Sequence, residues 1–197
     1  MITVLLTVFN GQDWLIECIE SILNQSYKNF EFLIIDDGSE DNSLSIIKHY
    51  SKIDKRIKYI SQENIGLTKS LNKGLRIAKG DWIARIDSDD ISYSRRLELQ
   101  LNYVLQKDIK LVGCQSIIID SNGLKKGEID IPTEHKRIYS NLENQKRFFS
   151  HSSVLFNKKL ILKLGGYREI MKKSQDYDLW LRVSEVSEVG CLNYLGN

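Results

Sequence analysis

Three carboxylates fall within four residues at Asp87-Ser88-Asp89-Asp90, directly after an apolar segment that ends at Ile86. Carboxylates this close repel one another unless a cation offsets their charge. Oxygen ligands with no His or Cys beside them suit a hard divalent ion, Mn²⁺ or Mg²⁺, which completes its shell with water and phosphate oxygens. The same residues would also make an acidic turn capping the next helix, and the spacing leaves both readings open. A second acidic turn, Asp36-Asp37-Gly38-Ser39, follows another apolar segment. An acid in that position often binds the ribose or base of a nucleotide, although Gly38-Ser39 followed by Asp41 is equally a good helix-start turn. Asp176 and Asp178 open a helical stretch further on. The helix dipole favours acids there whatever the function, while the chemical reading is a general base that takes a proton from an attacking hydroxyl.

The elements that would position these groups alternate. Residues 2–8 form a β-branched and leucine run typical of a buried strand. Residues 13–25 place Trp14, Leu15, Cys18, Ile19, Ile22 and Leu23 on one helical stripe. Strands follow at 30–35, 57–60 and 82–86. Between them lie a helix capped by Asp41 or Asn42, with Leu44 and Ile47 on its apolar side, and a second marked by Leu67, Leu71 and Leu75 and ended by Gly80-Asp81. A further helix carries Leu97, Leu101, Val104 and Leu105. This βαβαβαβ order predicts an α/β fold with a mostly parallel central sheet flanked by helices. Ligands of such sheets sit beyond the carboxyl ends of the strands. The polar groups at 7–10, 36–39 and 87–90 follow three such ends and would converge there.

The second half is less regular. A strand is expected over 111–120, a hairpin turn at Asp120-Ser121-Asn122-Gly123, and an antiparallel excursion to about residue 131. A strand at 152–156, a helix at 158–164 ended by Gly165-Gly166, and a helix at 176–186 complete the reading. One domain spans 1–197, with the regularly alternating half over 1–105 and the irregular half over 106–197.

Composition narrows the classes of function. Twenty-eight basic and 26 acidic residues give a net charge of +2, which offers no reason to propose nucleic acid. A balanced total still leaves room for a local basic face, so a peripheral contact with anionic lipid stays open. Cys18, Cys114 and Cys191 are widely separated, as expected of free thiols in a reducing compartment. Nothing resembles a secretory signal or a membrane helix, and a cytoplasmic location is expected, with the inner face of a membrane as one setting. No GxGxxG, Walker A or nucleophile-elbow pattern occurs. His49 and His135 fall at helical positions, and His151 reads as a satisfied structural histidine.

Taken in order, Leu6-Thr7-Val8-Phe9-Asn10, Ser21-Ile22-Leu23-Asn24-Gln25-Ser26-Tyr27, Asp36-Asp37-Gly38-Ser39, Asn64-Ile65-Gly66, Ala78-Lys79-Gly80-Asp81, Asp87-Ser88-Asp89-Asp90, Arg96-Leu97, Gly165-Gly166-Tyr167 and Gln175-Asp176-Tyr177-Asp178-Leu179-Trp180 resemble the inverting family 2 glycosyltransferases of GT-A fold. The segments span nearly the whole chain. Each is weak alone; together they are specific. The resemblance implies a nucleoside-diphosphate sugar donor, with a UDP-sugar favoured, and a saccharide or lipid-linked saccharide acceptor, as in bacterial cell-surface polysaccharide synthesis. It also implies residue roles. Thr7, Phe9 and Asn10 line the nucleobase pocket, and Asp37 accepts a hydrogen bond from a uracil-type N–H. Gly66 and Lys69 lie on the nucleotide side, Lys69 toward the diphosphate. Asp87 and Ser88 contact ribose or diphosphate, Asp89 binds the metal and Asp176 is the catalytic base.

Three departures from the family pattern stand out. Leu6-Thr7-Val8 lacks the proline common there, and Ser94 stands where a proline often precedes Arg-Leu. Gln175 replaces the glutamate that usually precedes the catalytic acid, and losing a like charge should lower the pKa of Asp176 relative to an acid pair. A sugar nucleotidyltransferase would share the scaffold but usually carries a glycine-rich basic segment where Asn10-Gly11-Gln12-Asp13 stands. A non-catalytic or shortened nucleotide-sugar-binding module is the other alternative. The sequence does not name the sugar, the acceptor or the oligomeric state.

Overall fold

The computed structural model describes residues 1–171 and 173–197. Four parallel strands build one half of the sheet: β1 (Ile2–Val8), β2 (Phe30–Asp36), β3 (Ile57–Ser61) and β4 (Trp82–Ile86), in the spatial order β3-β2-β1-β4. β1 and β2 are buried along their whole length, which explains their unbroken apolar runs. The other half is mixed. β7 (Leu155–Asn157) pairs antiparallel with β4 and with β5 (Leu111–Ile119). β5 continues antiparallel into β6 (Lys125–Ile129) and takes β8 (Val189–Leu195) alongside it in parallel. The expected turn at Asp120 forms: Gly123 N donates to Asp120 O at 2.9 Å and Asn122 N to Asp120 Oδ1 at 2.9 Å.

Side chains on alternate residues of a strand point to opposite faces, and the two faces of this sheet have separate cores. On one face Leu5, Leu33, Ile35 and Ile83 pack against α3 (Leu67–Ile77), α5 (His135–Glu143), α6 (Lys158–Lys163) and α7 (Gln175–Ser184). On the other face Val4, Leu6, Ile34, Ala84 and Ile86 pack against α1 (Leu15–Leu23), α2 (Ser43–Ile53) and α4 (Arg96–Lys107). The three cysteines are buried and free. Among the described residues no helix is long and apolar enough to cross a membrane.

The structure corrects several expectations. The helix read from residue 13 begins at Leu15, so Trp14 lies outside the buried stripe and is 41% exposed. Asn42 is the residue preceding α2 but makes no side-chain capping bond; Asp41 accepts from Ser43 N at 2.9 Å instead. The strand read over 152–156 is a 3₁₀ turn at His151–Ser153 followed by β7. Ser153 donates both its N–H and its hydroxyl to Ser150 O, a local bond that competes with a ladder. Of α5 only the helical position of His135 was read, and β8 was not expected. β8 carries Gly190 and Asn193, poor strand formers that hide its pattern. The residues after it run on beside β5 and under α4. Tyr93 N donates to Gly196 O at 2.8 Å, Ile117 N to Asn197 O at 3.0 Å, Arg96 Nη1 to Asn197 Oδ1 at 3.1 Å, and Asn197 Nδ2 to Ser152 O at 2.7 Å.

Candidate active site

The polar residues gather at the carboxyl ends of β1, β2 and β4, and strand phase decides which way they face. Thr7 continues the phase of Leu5, Asp37 that of Leu33 and Ile35, and Arg85 and Asp87 that of Ile83. All four therefore point to the face covered by α3 and α7. Register aligns them: Thr7 lies opposite Ile35 and Leu6 opposite Ile86. Asp37 N extends the ladder to Val8 O at 2.8 Å.

On the β1–β2 side, Thr7 is 7% exposed and its hydroxyl has no hydrogen-bond partner among the described residues. Phe9 is half exposed. Asn10 takes a left-handed backbone, φ 54°, and ties the two loops together, its N donating to Ser39 Oγ and its Oδ1 accepting from Glu40 N. Gly11 sits tight beneath the next loop, since a Cβ there would stand 2.9 Å from Ser88 Oγ.

Asp37 is held by four donors of the chain itself. Its Oδ1 accepts from Gln62 Nε2 (2.7 Å), Ser70 Oγ (2.9 Å) and Ile65 N (3.1 Å), and its Oδ2 from Gly66 N (2.9 Å). Burial opposes its charge, but these donors outweigh burial and hold the carboxyl below the usual range. Asp37 thus fixes the 62–66 loop and the start of α3. Gly66 stands at that start with φ 89°, a backbone only glycine adopts without strain. Lys69, in the first turn of α3, is exposed.

The acidic cluster after β4 splits by environment. Arg85, wholly buried, pairs through Nη1 with Asp87 Oδ2. Ser152 Oγ donates to the same oxygen at 2.8 Å and accepts Asp87 N at 2.8 Å. Burial would raise the Asp87 carboxyl, but Arg85 chiefly, aided by Ser152, holds it low. The cation expected from the crowded carboxylates is thus, for Asp87, a residue of the chain itself. Asp90 is pushed up by burial and by its acidic neighbours. Asp89 is exposed and makes no hydrogen bond or ion pair with a described residue. Among the described residues no group of three or more His, Cys, Asp or Glu side chains could enclose a metal. A single exposed carboxylate still fits an ion that draws the rest of its shell from water and phosphate, as Mg²⁺ does. Asp89 and Ile91 line clefts of about 430 and 250 Å³ whose far wall is Ile119 and Gly123 of the β5–β6 hairpin.

Asp176 lies in the first turn of α7, after Ser174 in a left-handed conformation with φ 58°. It is partly buried, and burial pushes its pKa up; Arg85 and Asp87 are both close enough to bias its charge, in opposite senses. Gln175 beside it is buried. Asp178, the other acid of that turn, is structural: it pairs with Arg168 at 2.6 Å and Arg182 at 2.7 Å, and Arg182 also donates to Leu164 O and Gly166 O. His151 is structural too. Its Nε2 bonds Tyr167 Oη at 2.9 Å, its ring packs edge-on to Trp180, and burial holds it neutral. Sequence reasoning missed Arg85 and Ser152. A charged residue in phase with Ile83 in a central strand was the available signal for Arg85; Ser152 carried none.

A mixed sheet with the site at its parallel carboxyl edge, an acidic turn after the fourth strand and an antiparallel second half define a GT-A glycosyltransferase fold. The family model described as glycosyl transferase family 2 matches residues 3–165, and the chain belongs to that family. Escherichia coli WbnJ, an O-antigen biosynthesis glycosyltransferase, is 38% identical over 93% of this chain and 71% of its own. Staphylococcus aureus TarS in complex with UDP superposes with a TM-score of 0.82 over 99% of this chain and 59% of that one, at 18% identity. The mannosyltransferase PcManGT of Pyrobaculum calidifontis, in complex with GDP-Man and Mn²⁺, gives a TM-score of 0.75 over 98% of this chain and 54% of that one, at 17% identity. The chain spans 60–71% of the length of WbnJ and five further curated relatives.

Proposed function

We propose that this chain transfers a sugar from a nucleoside-diphosphate sugar, a UDP-sugar in first place, to an acceptor hydroxyl with inversion, in the assembly of a bacterial cell-surface polysaccharide. One observation carries the reading. Strand phase turns Thr7, Asp37 and Asp87 to the same face as α7, so the nucleotide-side loops and the carboxylate of Asp176 meet at one sheet edge. The relatives support the setting: WbnJ is named for O-antigen synthesis, and the two solved neighbours hold UDP or GDP-Man.

In this mechanism Asp37 holds the 62–66 loop and Gly66 in place as the floor of the base pocket, beside Thr7, Phe9 and Asn10. Asp87 and Ser88 face the ribose and diphosphate. Asp89 is the residue that would hold a Mn²⁺ or Mg²⁺ ion, which when bound supplies Lewis-acid and electrostatic stabilisation to the leaving diphosphate. Asp176 takes the proton of the acceptor hydroxyl. The acceptor oxygen bonds to the anomeric carbon from the side opposite the nucleotide. The bond from that carbon to the diphosphate breaks, and its electron pair leaves with the nucleoside diphosphate. One displacement inverts the centre, with no covalent intermediate.

The second reading is a module that binds the nucleotide yet transfers poorly by itself. One experiment addresses both. A panel of UDP-, GDP- and TDP-sugars is screened for Mn²⁺-dependent thermal stabilisation, and the products are then analysed with saccharide acceptors. A UDP-sugar hit with release of UDP and an inverted product supports transfer. UDP binding without turnover supports the module. Release of inorganic diphosphate would sink both in favour of a nucleotidyltransferase.

A further inference from the structure

Arg85 is the most unusual side chain near the site. It is 0% exposed, yet only its Nη1 is engaged, by Asp87 and Ser152; Nε and Nη2 have no partner among the described residues. A buried donor without an acceptor costs free energy, and here two occur on one edge of one guanidinium. The Nε–Nη2 edge is a planar fork that matches both oxygens of a carboxylate. Besides Asp87, the carboxylates within its electrostatic reach are Asp90 and Asp176.

Strand phase chooses between them. Arg85 shares the phase of Ile83, which packs with Leu179, Trp180 and Val183 of α7. Its neighbours in sequence, Ala84 and Ile86, face α1 and α4, and Asp90 lies by Ser152 and toward Cys18 of α1, whose thiol is pushed up by burial and then by Asp90. The fork therefore points into the α7 side of the sheet. Asp176 and Trp180 are four residues apart on α7 and so share a helix face. The Trp180 indole N–H is likewise buried and without a partner, which marks this pocket as short of acceptors.

We propose that Arg85 is a positioning residue of the transfer reaction: end-on it anchors Asp87 on the nucleotide side, and its Nε–Nη2 edge, unpaired among the described residues of the ligand-free chain, takes and orients the Asp176 carboxylate when the acceptor is bound. One cation would then set the spacing between donor and base. This rests on the assignment of Asp176 as the base. Before transfer the guanidinium aligns an ionised carboxylate. Once Asp176 takes the acceptor's proton, the ion pair with Arg85 weakens and the proton stays on Asp176 until water removes it.

The charged and titratable groups that act on Asp176 are Arg85 and Asp87 from β4 and its end, and Tyr167 after α6. Arg85 is the cation among them. The test is a carbon-13 NMR titration of aspartate carboxyls in the intact chain, with Asp176 assigned by its loss in Asp176→Asn. Arg85→Met should move the Asp176 titration up by about one pH unit or more, as expected for loss of a nearby cation. Arg85→Lys keeps the charge without the fork; it should move the titration less and secure the result if the Met variant does not fold. Asp176 titrating as in the parent in both variants, or a shift at Asp90 with none at Asp176, overturns the proposal. The base assignment is tested separately. Transfer by Asp176→Asn at the parent rate would sink that assignment even if the titration shift were found, whereas a dead Asp176→Asn with an unmoved titration would sink only the role of Arg85.

Discussion

Ser152 grips Asp87 twice: its hydroxyl donates to Asp87 Oδ2 at 2.8 Å and accepts the Asp87 backbone N–H at 2.8 Å. The two residues are 65 positions apart in sequence. The grip decides how the acidic turn leaves β4, and so where Ser88 and Asp89 stand. Ser152→Ala leaves a backbone donor and a buried guanidinium each one acceptor short. A loss of about 1–3 kcal/mol is expected, the usual cost of stranding such groups, measured by chemical denaturation. UDP binding should weaken as well. Unchanged stability and unchanged UDP affinity would show that the turn holds its shape without the serine.

Asp89→Ala should separate fold from metal. The side chain is exposed and bonds no described residue, so unfolding without ligand should move by no more than about 0.5 kcal/mol. The Mn²⁺-dependent part of UDP binding, read by calorimetry with and without the ion, should vanish. Retention of that part in the alanine variant would move the metal site elsewhere.

Asp176→Asn should keep UDP binding and cut transfer by about 10²–10⁴-fold, the range for losing a general base. It should also stabilise the apo fold at neutral pH. Burial raises the folded-state pKa of Asp176, so its ionised form disfavours folding. That penalty is present above the folded pKa and disappears as pH falls toward the unfolded value. A lower melting temperature for the Asn variant at pH 7 would contradict this sign.

The same shift places the acid limb of the transfer rate above that of an ordinary carboxylate, because the base works only when ionised. Gln175→Glu restores an acid beside it in a buried position, and like charge should move the limb further up. The pH–rate profiles of the two proteins check this, and a limb that moves down in the Glu variant would refute it.

Asp37 has the opposite linkage. Burial would raise its carboxyl, but its four donors hold it below the usual aspartate range, so its stabilisation is present above that range and lost as pH falls through the lowered folded pKa. Asp37→Asn turns an amide toward donors of Gln62, Ile65, Ser70 and Gly66, and a loss of about 1–3 kcal/mol is expected at pH 7. The gap to the parent protein should narrow in acid. A gap that is the same at pH 7 and pH 3 would mean the carboxylate charge contributes nothing.

The first half of the fold was readable because β1, β2 and β4 are buried on both faces and its helices are amphipathic, so both patterns stand out in the sequence. The acidic groups were readable because they end those strands. What was not readable depends on pairing between distant segments. Ser152 belongs to a short turn that looks like part of an apolar strand. β8 is buried mainly where β5 covers it, and Gly190 and Asn193 break its pattern. The donors around Asp37 were hidden for the same reason: they come from residues 62–70, and no local signal pairs them with an acid just after β2.

The segment beyond β8 gives the site a place in the order of folding. Gly196 and Asn197 bond Ser92, Tyr93, Arg96, Ile117 and Ser152, with separations reaching 104 residues. Contacts so far apart in sequence close late, since the loop entropy must be met before they form. The parallel half of the sheet, built from residues 2–86, can gather first around nearby contacts. The last bonds on residues 92–96, just beyond the acidic cluster, would form when 196–197 dock. A chain caught before that step would have its parallel strands in register and still lack the bonds that tie the start of α4 to the far side of the sheet.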